Sequence, residues 1–559
     1  MSQVLRFHIT GDNGAPPTPG EVREFWHRTQ TEYPNATLQA STVDAFVDEL
    51  WKVKDSVLPL VTQEIGDVWL PQMGTDPWRF RALRAVGRLR SEWLADGRLD
   101  WDDRDLHAYS SALLLPLEHN FGMQTDKVLD LTWHSQYWTN SQFHPHMSAA
   151  DGDLIGFPGL QYYADERDRH IYPKPAGDGA SSGFMAFAAH INATLKQLAV
   201  VPGPGTMKLG LTEINVTDQE AMVLANGKVT IKFDSGTGAI KSLVEKTASG
   251  SREWVAPGGS LAEFVYRTYT QEADINPYVD VFTPGHPTNE SDLATWPWSK
   301  IGMDRAIEAD PAMPPLATIS QSWPVRLRKA WKSSTTMLLQ LVLPEKAITL
   351  FGGMMHIFLN VKLPADGSAV EVELSWANKT ATRLAESSWL SFVPSVPQPA
   401  KGWRLDVLGS PVDPLTVAHN GSRHLHAIHR GVCYDDSTAE TIDNIAGATP
   451  VVRFALESLD APLVAPGDTA HLIDFDNKLP DLAGGFHFNL HNNAGVLLPS
   501  PNTLSPLLSL PFRILCSLMS CVPLRLGSEC ATVVWSRCCV SLPAEPQRAT
   551  WMLAEAENR

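Results

Sequence analysis

Glu64 and Asp67 stand three residues apart in Gln63-Glu64-Ile65-Gly66-Asp67-Val68-Trp69, with Trp69 and Trp78 supplying flat apolar surface nearby. On a helical turn that spacing puts both carboxylates on one face. Burial against an aromatic ring raises the pKa of such an acid until it can deliver a proton near neutral pH. The plainer use of Asp67 is a helix cap. Asp12 lies in Gly11-Asp12-Asn13-Gly14 after the apolar run Val4 to Ile9. That is the carboxyl end of an expected strand, where ligands of parallel sheets collect, although an Asx-turn is the commoner use of Asp there. His119 follows Glu118 after Leu113 to Leu117, and is either a metal ligand or a helix-end histidine bonded to backbone. His424 and His426 alternate beside Arg423 and Asn420, so on a strand both point to one face. Two imidazoles with a carboxylate can hold a metal, and Arg423 with Asn420 can hold hydroxyl groups. The plainer outcome is a solvated or inter-domain face.

The elements that must position these residues follow from periodicity. Val4 to Ile9 and Ala36 to Gln39 read as short strands. Thr18-Pro19-Gly20-Glu21 and Ser41-Thr42-Val43-Asp44 read as helix starts, the first with the Thr and Glu of a capping box. Residues 1–55 therefore read as the C-terminal end of a (β/α) domain, and 56–200 as a helical middle with Phe80, Leu83, Val86, Leu89 and Trp93 at helical spacing. The linker Val201-Pro202-Gly203-Pro204-Gly205 ends it. From 205 to 493 the period changes to two, with a hairpin predicted over Lys228 to Phe233 and Ala239 to Val244. Strands at that density predict large antiparallel β-sandwiches, so the fold class is multidomain α+β. Residues 494–559 contain no Lys, Asp or His and hold five of the six cysteines. They read as an aberrant tail, expected to be poorly ordered.

Composition bounds the function. The chain has 559 residues, a formal charge of −17, 43% hydrophobic and 19% charged residues, which describes a multidomain globular protein. Its negative field repels phosphate backbones, so no nucleic-acid partner is expected. No apolar run is long enough to predict a membrane span, and Met1 to Thr10 lacks a signal-peptide core. With the body free of cysteine pairs, a reducing, cytoplasmic setting is the expectation, while sequons at Asn35, Asn192, Asn215, Asn289, Asn378 and Asn420 leave secretion open. Oligomeric state is not legible.

The order of several phrases carries a resemblance. Thr10-Gly11-Asp12-Asn13-Gly14-Ala15-Pro16-Pro17, Tyr33-Pro34-Asn35-Ala36, Gln63 to Trp69, Pro116-Leu117-Glu118-His119-Asn120-Phe121-Gly122, Asn226-Gly227-Lys228 and Asn420-Gly421-Ser422-Arg423-His424-Leu425-His426 follow one another. Over residues 4 to 493 this resembles the glycoside hydrolase family 38 α-mannosidases, and more closely a branch of them known as a domain of unknown function (5054). The resemblance implies zinc-dependent retaining hydrolysis, with a His-x-Asp metal pair, an Asp nucleophile and a later zinc histidine at His119. In the family the Gly-Asp segment borders the sugar pocket, so the resemblance implies that Asp67 binds a sugar hydroxyl or donates a proton; from the residues themselves Glu64 and Asp12 are the further candidate acids, and Trp69, Arg423, His424 and His426 the candidate sugar contacts. This sequence contains no His-x-Asp. The resemblance therefore implies that most of the catalytic sheet lies upstream of Met1, and that the chain as given is inactive and holds no zinc. The alternatives are a non-catalytic carbohydrate-binding protein and a structural relic without a ligand.

Overall fold

The computed structural model describes residues 4–10, 14–54, 58–66, 70–117, 168–175, 177, 179–199, 204–247, 250–270, 274, 320–365, 369–380, 385–435, 451–469, 477–492 and 512–521. The chain divides into two units, Met1–Gln63 and Glu64–Arg559.

In the first unit the expected caps form. Helix α1 (Pro19–Glu32) starts at Thr18, whose hydroxyl accepts the Glu21 N–H while the Glu21 carboxylate accepts the Thr18 N–H at 2.7 Å. Helix α2 (Val43–Trp51) starts at Thr42, which accepts the Ala45 N–H at 3.2 Å. The two expected strands do not form. Val4–Ile9 and Ala36–Gln39 make no ladder with any described residue, and Val4 and Ile9 are exposed. A strand exists only where another strand takes up its backbone groups. The described part of the expected (β/α) layer is thus a pair of helices.

Among the described residues, three long helices precede the strands of the second unit. They are α3 (Pro77–Ala95), α4 (Arg104–Ala112) and α5 (Ser182–Ala199). Ala82, Ala85, Val86 and Trp93 of α3 pack against Phe184, Phe187, Ile191 and Leu195 of α5, with Leu106 and Tyr109 of α4 in the same cluster. The small alanines let the two long helices approach. Asp103 caps α4 by accepting the Asp105 and Leu106 N–H groups.

Strands follow in the order β1 (Thr212–Ile214), β2 (Val223–Ala225), β3 (Val229–Phe233), β4 (Ile240–Thr247), β5 (Gly250–Glu253), β6 (Leu261–Thr268) and β7 (Gln321–Pro324). Next come β8 (Arg326–Lys332), β9 (Thr336–Val342), β10 (His356–Lys362), β11 (Ala369–Ala377), β12 (Glu386–Phe392), β13 (Trp403–Val407) and β14 (Ser410–Val412). The last are β15 (His426–Ala427), β16 (Gly431–Asp435), β17 (Val451–Ser458), β18 (Leu463–Pro466), β19 (Phe486–Asn492) and β20 (Phe512–Cys521). One antiparallel sheet has the order β1-β8-β9-β10-β11-β20-β17-β16-β13-β14. The other runs β15-β18-β19-β12-β6-β4-β3-β2, with β5 on β4 and β7 on β6.

Their inner faces form one core. Alternating residues such as Ile231, Phe264, Leu390 and Phe488 of the second sheet meet Leu339, Leu359, Leu374 and Phe454 of the first. The predicted hairpin is β3–β4, with Asp234 accepting the Gly236 and Thr237 N–H groups to close its turn.

Over Phe512–Cys521 a strand, β20, stands within the segment that was expected to be poorly ordered. It lies between β11 and β17, pairing Ala369–Leu374 on one side and Val451–Ser458 on the other. A strand with neighbours on both edges is a place where a charge-poor segment fits. Residues 494–511 and 522–559 are outside the described set. Truncation after Asn493 should accordingly lower the thermal midpoint by about 10 °C or more, as read by circular dichroism. An unchanged midpoint would show that the sandwich closes without β20.

Candidate functional site

Two phrases far apart in the sequence of the second unit meet. Glu64 forms an isolated parallel bridge with Val417, its N–H donating to Thr416 O at 3.1 Å and its carbonyl accepting from the Ala418 N–H at 2.7 Å. Gly66 has φ +73°, and a Cβ there would lie 2.6 Å from Ser422 O. A Cβ on Gly421 would lie 2.0 Å from Ile65 O. Each phrase contributes a glycine because the other backbone occupies the space of a side chain.

The loop 417–426 is braced from within. Arg423 donates from Nη2 to Val417 O at 2.9 Å, Ser422 Oγ donates to Leu425 O at 3.1 Å, and His426 Nε2 lies 3.1 Å from Arg423 O. Asn420, at φ +65°, exchanges hydrogen bonds with Asn477.

This geometry corrects two expectations. Glu64 does not open a helical turn, since residue 64 is in a bridge and Gly66 is in the left-handed region. The Glu64 carboxylate instead turns back toward the Gly66 N–H at 3.4 Å. Nor do His424 and His426 share a strand face. β15 begins only at His426, which is buried, whereas His424 lies before it and is half-buried. Arg423 serves its own loop, so its guanidinium is partly committed to backbone carbonyls. Asp12, Asp67, Trp69 and His119 lie outside the described residues.

The segment after Asp67 has a polar floor that sequence reading missed. The 3-10 turn Leu70–Thr75 sets Leu70 and Met73 against Tyr269, Trp389, Leu425 and Leu463. Asn492 Nδ2 donates to Pro71 O and to Asn489 Oδ1, both at 2.9 Å. A Cβ on Gly74 would lie 2.0 Å from Asn492 Nδ2. The one signal available was the alternation of apolar and polar residues in Phe488-Asn489-Leu490-His491-Asn492.

At the start of α3, Asp76 and Arg79 are both fully buried, with Nη2 on Oδ2 at 2.5 Å. Arg79 Nη1 also donates to Pro116 O at 3.3 Å, and its Nε lies 3.7 Å from Asp168. Pro116 stands three residues before His119 in sequence. The pair therefore ties the segment leading from Asp67 to the one leading to His119.

Three histidines are buried along β15 and β19. Burial lowers His426 and His487 to about 4, and lowers His491 well below its usual value, with the nearby Lys379 ammonium adding to the effect. Lys379 pairs with Glu386, which also accepts from the Tyr266 hydroxyl. Burial raises the Glu386 carboxyl, against the opposing pull of Lys379 and Tyr266. Among the described residues no group of three or more His, Cys, Asp and Glu side chains is gathered as a metal site. No described helix is long and apolar enough to cross a membrane.

Comparison with known proteins gives one family match and several structural likenesses. A family model described as a domain of unknown function (DUF5054) matches residues 73–371, more than half of the chain. No curated protein matches it in sequence. Among solved structures, an α-mannosidase from Enterococcus faecalis V583 is similar at 8% identity and TM-score 0.42, over 90% of this chain and 62% of that one. A protein in the glycosyl hydrolase family 38 from Enterococcus faecalis is similar at 10% identity and TM-score 0.36, over 90% of this chain and 66% of that one. A galactose mutarotase-like protein from Lactobacillus casei ATCC 334 has 11% identity and TM-score 0.26, over 53% of this chain and 99% of that one. The chain spans less than two thirds of the length of the first two.

Two outcomes follow from the buried charges. Arg79→Met leaves Asp76 buried without its cation and should cost about 3–5 kcal/mol in urea unfolding, whereas Arg98→Met, on the exposed face, should change stability little. The histidine values also set a pH response. With folded values below 6.5, the unfolded chain takes up more protons as pH falls. Stability is therefore full above about pH 6.5 and is lost toward pH 4, by about 2 kcal/mol at pH 5 for each of His426 and His487. Equal urea midpoints at pH 7 and pH 5 would contradict this.

Proposed function

We infer that this chain, which belongs to the DUF5054 family, is a carbohydrate-binding protein of glycosidase descent that takes its sugar where the Glu64–Thr75 segment meets the loop 417–426. The observation that carries this is the mutual glycine contact of Gly66 with Ser422 and of Gly421 with Ile65. It brings together the two phrases whose residue types suit hydroxyl recognition. Asp67 follows Gly66 in sequence and would accept a sugar hydroxyl, with Trp69 offering a ring face for the apolar side of the sugar.

On this reading the site takes its sugar without zinc. The sequence has no His-x-Asp, the described residues gather no three donors, and a catalytic zinc takes three protein ligands. A retaining hydrolysis needs two carboxyl groups about 5 Å apart across the scissile bond, and Glu64 turns back onto its own chain. Binding without turnover is what these residues support.

Isothermal titration with methyl α-mannoside should give a Kd of about 1 mM, weakened about tenfold by Asp67→Asn, with no release of aryl alcohol from an aryl α-mannoside with or without added zinc. Zinc-dependent release would replace this reading with an enzymatic one. Failure to bind any of a panel of mannosides, glucosides and galactosides would leave the structural role.

A further inference from the structure

His491 is 3% exposed, and neither of its ring nitrogens has a hydrogen-bond partner. It pairs across the strands with Ser388, whose hydroxyl is also buried without a partner. The ladder between β12 and β19 shifts register between Ser388 and Trp389, so His491 and Asn492 form a short terminal stretch beyond the irregularity. Asn492 is the residue that holds the Pro71 carbonyl. A neutral imidazole tolerates this place. An imidazolium would bring two N–H donors without acceptors into a water-poor site, beside a cation.

We propose that His491 and Asn492 form an acid-operated latch: protonation drives His491 out of its buried position, the end of β19 frays, and Asn492 lets go of Leu70–Thr75. The charged and titratable groups around His491 oppose its protonation as a set. Lys379 lies near it, and the negative charge of Glu386 is already matched by Lys379 and bonded to Tyr266. His487, on the same strand, is itself buried and bonded to Ser391. The turn Leu70–Thr75 carries no ionisable side chain to offset the charge. Burial also holds the imidazole neutral well into the acid range. The latch stands apart from the carbohydrate proposal, since it concerns how the segment is held rather than what it binds.

Amide hydrogen exchange on the full chain, corrected for the intrinsic rate, tests it. One proton taken up on opening, by a group of free pKa about 6.5, predicts about a twentyfold loss of protection in Leu70–Thr75 between pH 7 and pH 5. That segment should stay less protected than β3–β4 at every pH. His491→Leu should remove the pH dependence. No change in wild-type protection over this range would overturn the latch, and so would equal protection in the two segments, which would mean that the whole sandwich opens. An unaltered acid response in His491→Leu would overturn it as well. Should that variant not fold, the nitrogen-15 titration of His491 in the wild-type chain decides: a midpoint above pH 6 without exposure of the ring overturns the proposal.

Discussion

A row of arginines along α3 holds the second unit together. Arg84 donates to Leu459, Ile428 and Ser458 carbonyls, Arg88 donates to Leu459, and Arg81 reaches Leu198 at the end of α5. Arg81 and Arg88 both approach Asp460, which is fully buried. A guanidinium suits this task because its planar donors can serve several carbonyls at once and it holds its proton under strong desolvation. Burial lowers Arg84 to about 10, so it is still a cation at neutral pH. The opposite face of the same helix packs alanines and Trp93 against α5. Helices and sheets are thereby fastened to one rod, and the rod begins at Asp76, one residue after the turn Leu70–Thr75.

That turn is fixed from both sides. The Asp76–Arg79 pair anchors its end, and the Asn489–Asn492 pair anchors its beginning. Buried polar groups are costly unless satisfied. They gather here, at the outer end of β12 and β19, while the sandwich interior is apolar and aromatic, as in Trp254 against Phe454 and Trp403 against Phe486. The polar end is the part of the fold where stability is given up for a defined arrangement of backbone, a pattern expected at functional sites.

Local elements were legible in the sequence where local chemistry decides them. The caps at Thr18 and Thr42, the long helix over Ser182–Ala199 and the β3–β4 hairpin all carry their signals within a few residues. The candidate site was legible only as phrases. The residues predicted to alternate at 424 and 426 do not, because Ser422 and Arg423 are held in a braced loop by Gly66 and Val417. Among the described tryptophans, Trp254, Trp389 and Trp403 are buried in the core while Trp26, Trp51 and Trp101 are exposed.

By itself the sequence determined the helices with their caps, the change from period 3.6 to period 2 near Gly205, and the alternation that makes a two-sheet core. These rest on interactions between residues close in the chain, or on the solvent preference of each side chain taken singly. Only the tertiary structure decided that Phe512–Cys521 enters the middle of a sheet, that Val4–Ile9 forms no strand, and that Ile65–Gly66 lies against Gly421–Ser422. Strand pairing and backbone contact depend on which distant segment supplies the partner hydrogen bonds, and no property of the segment alone specifies that partner.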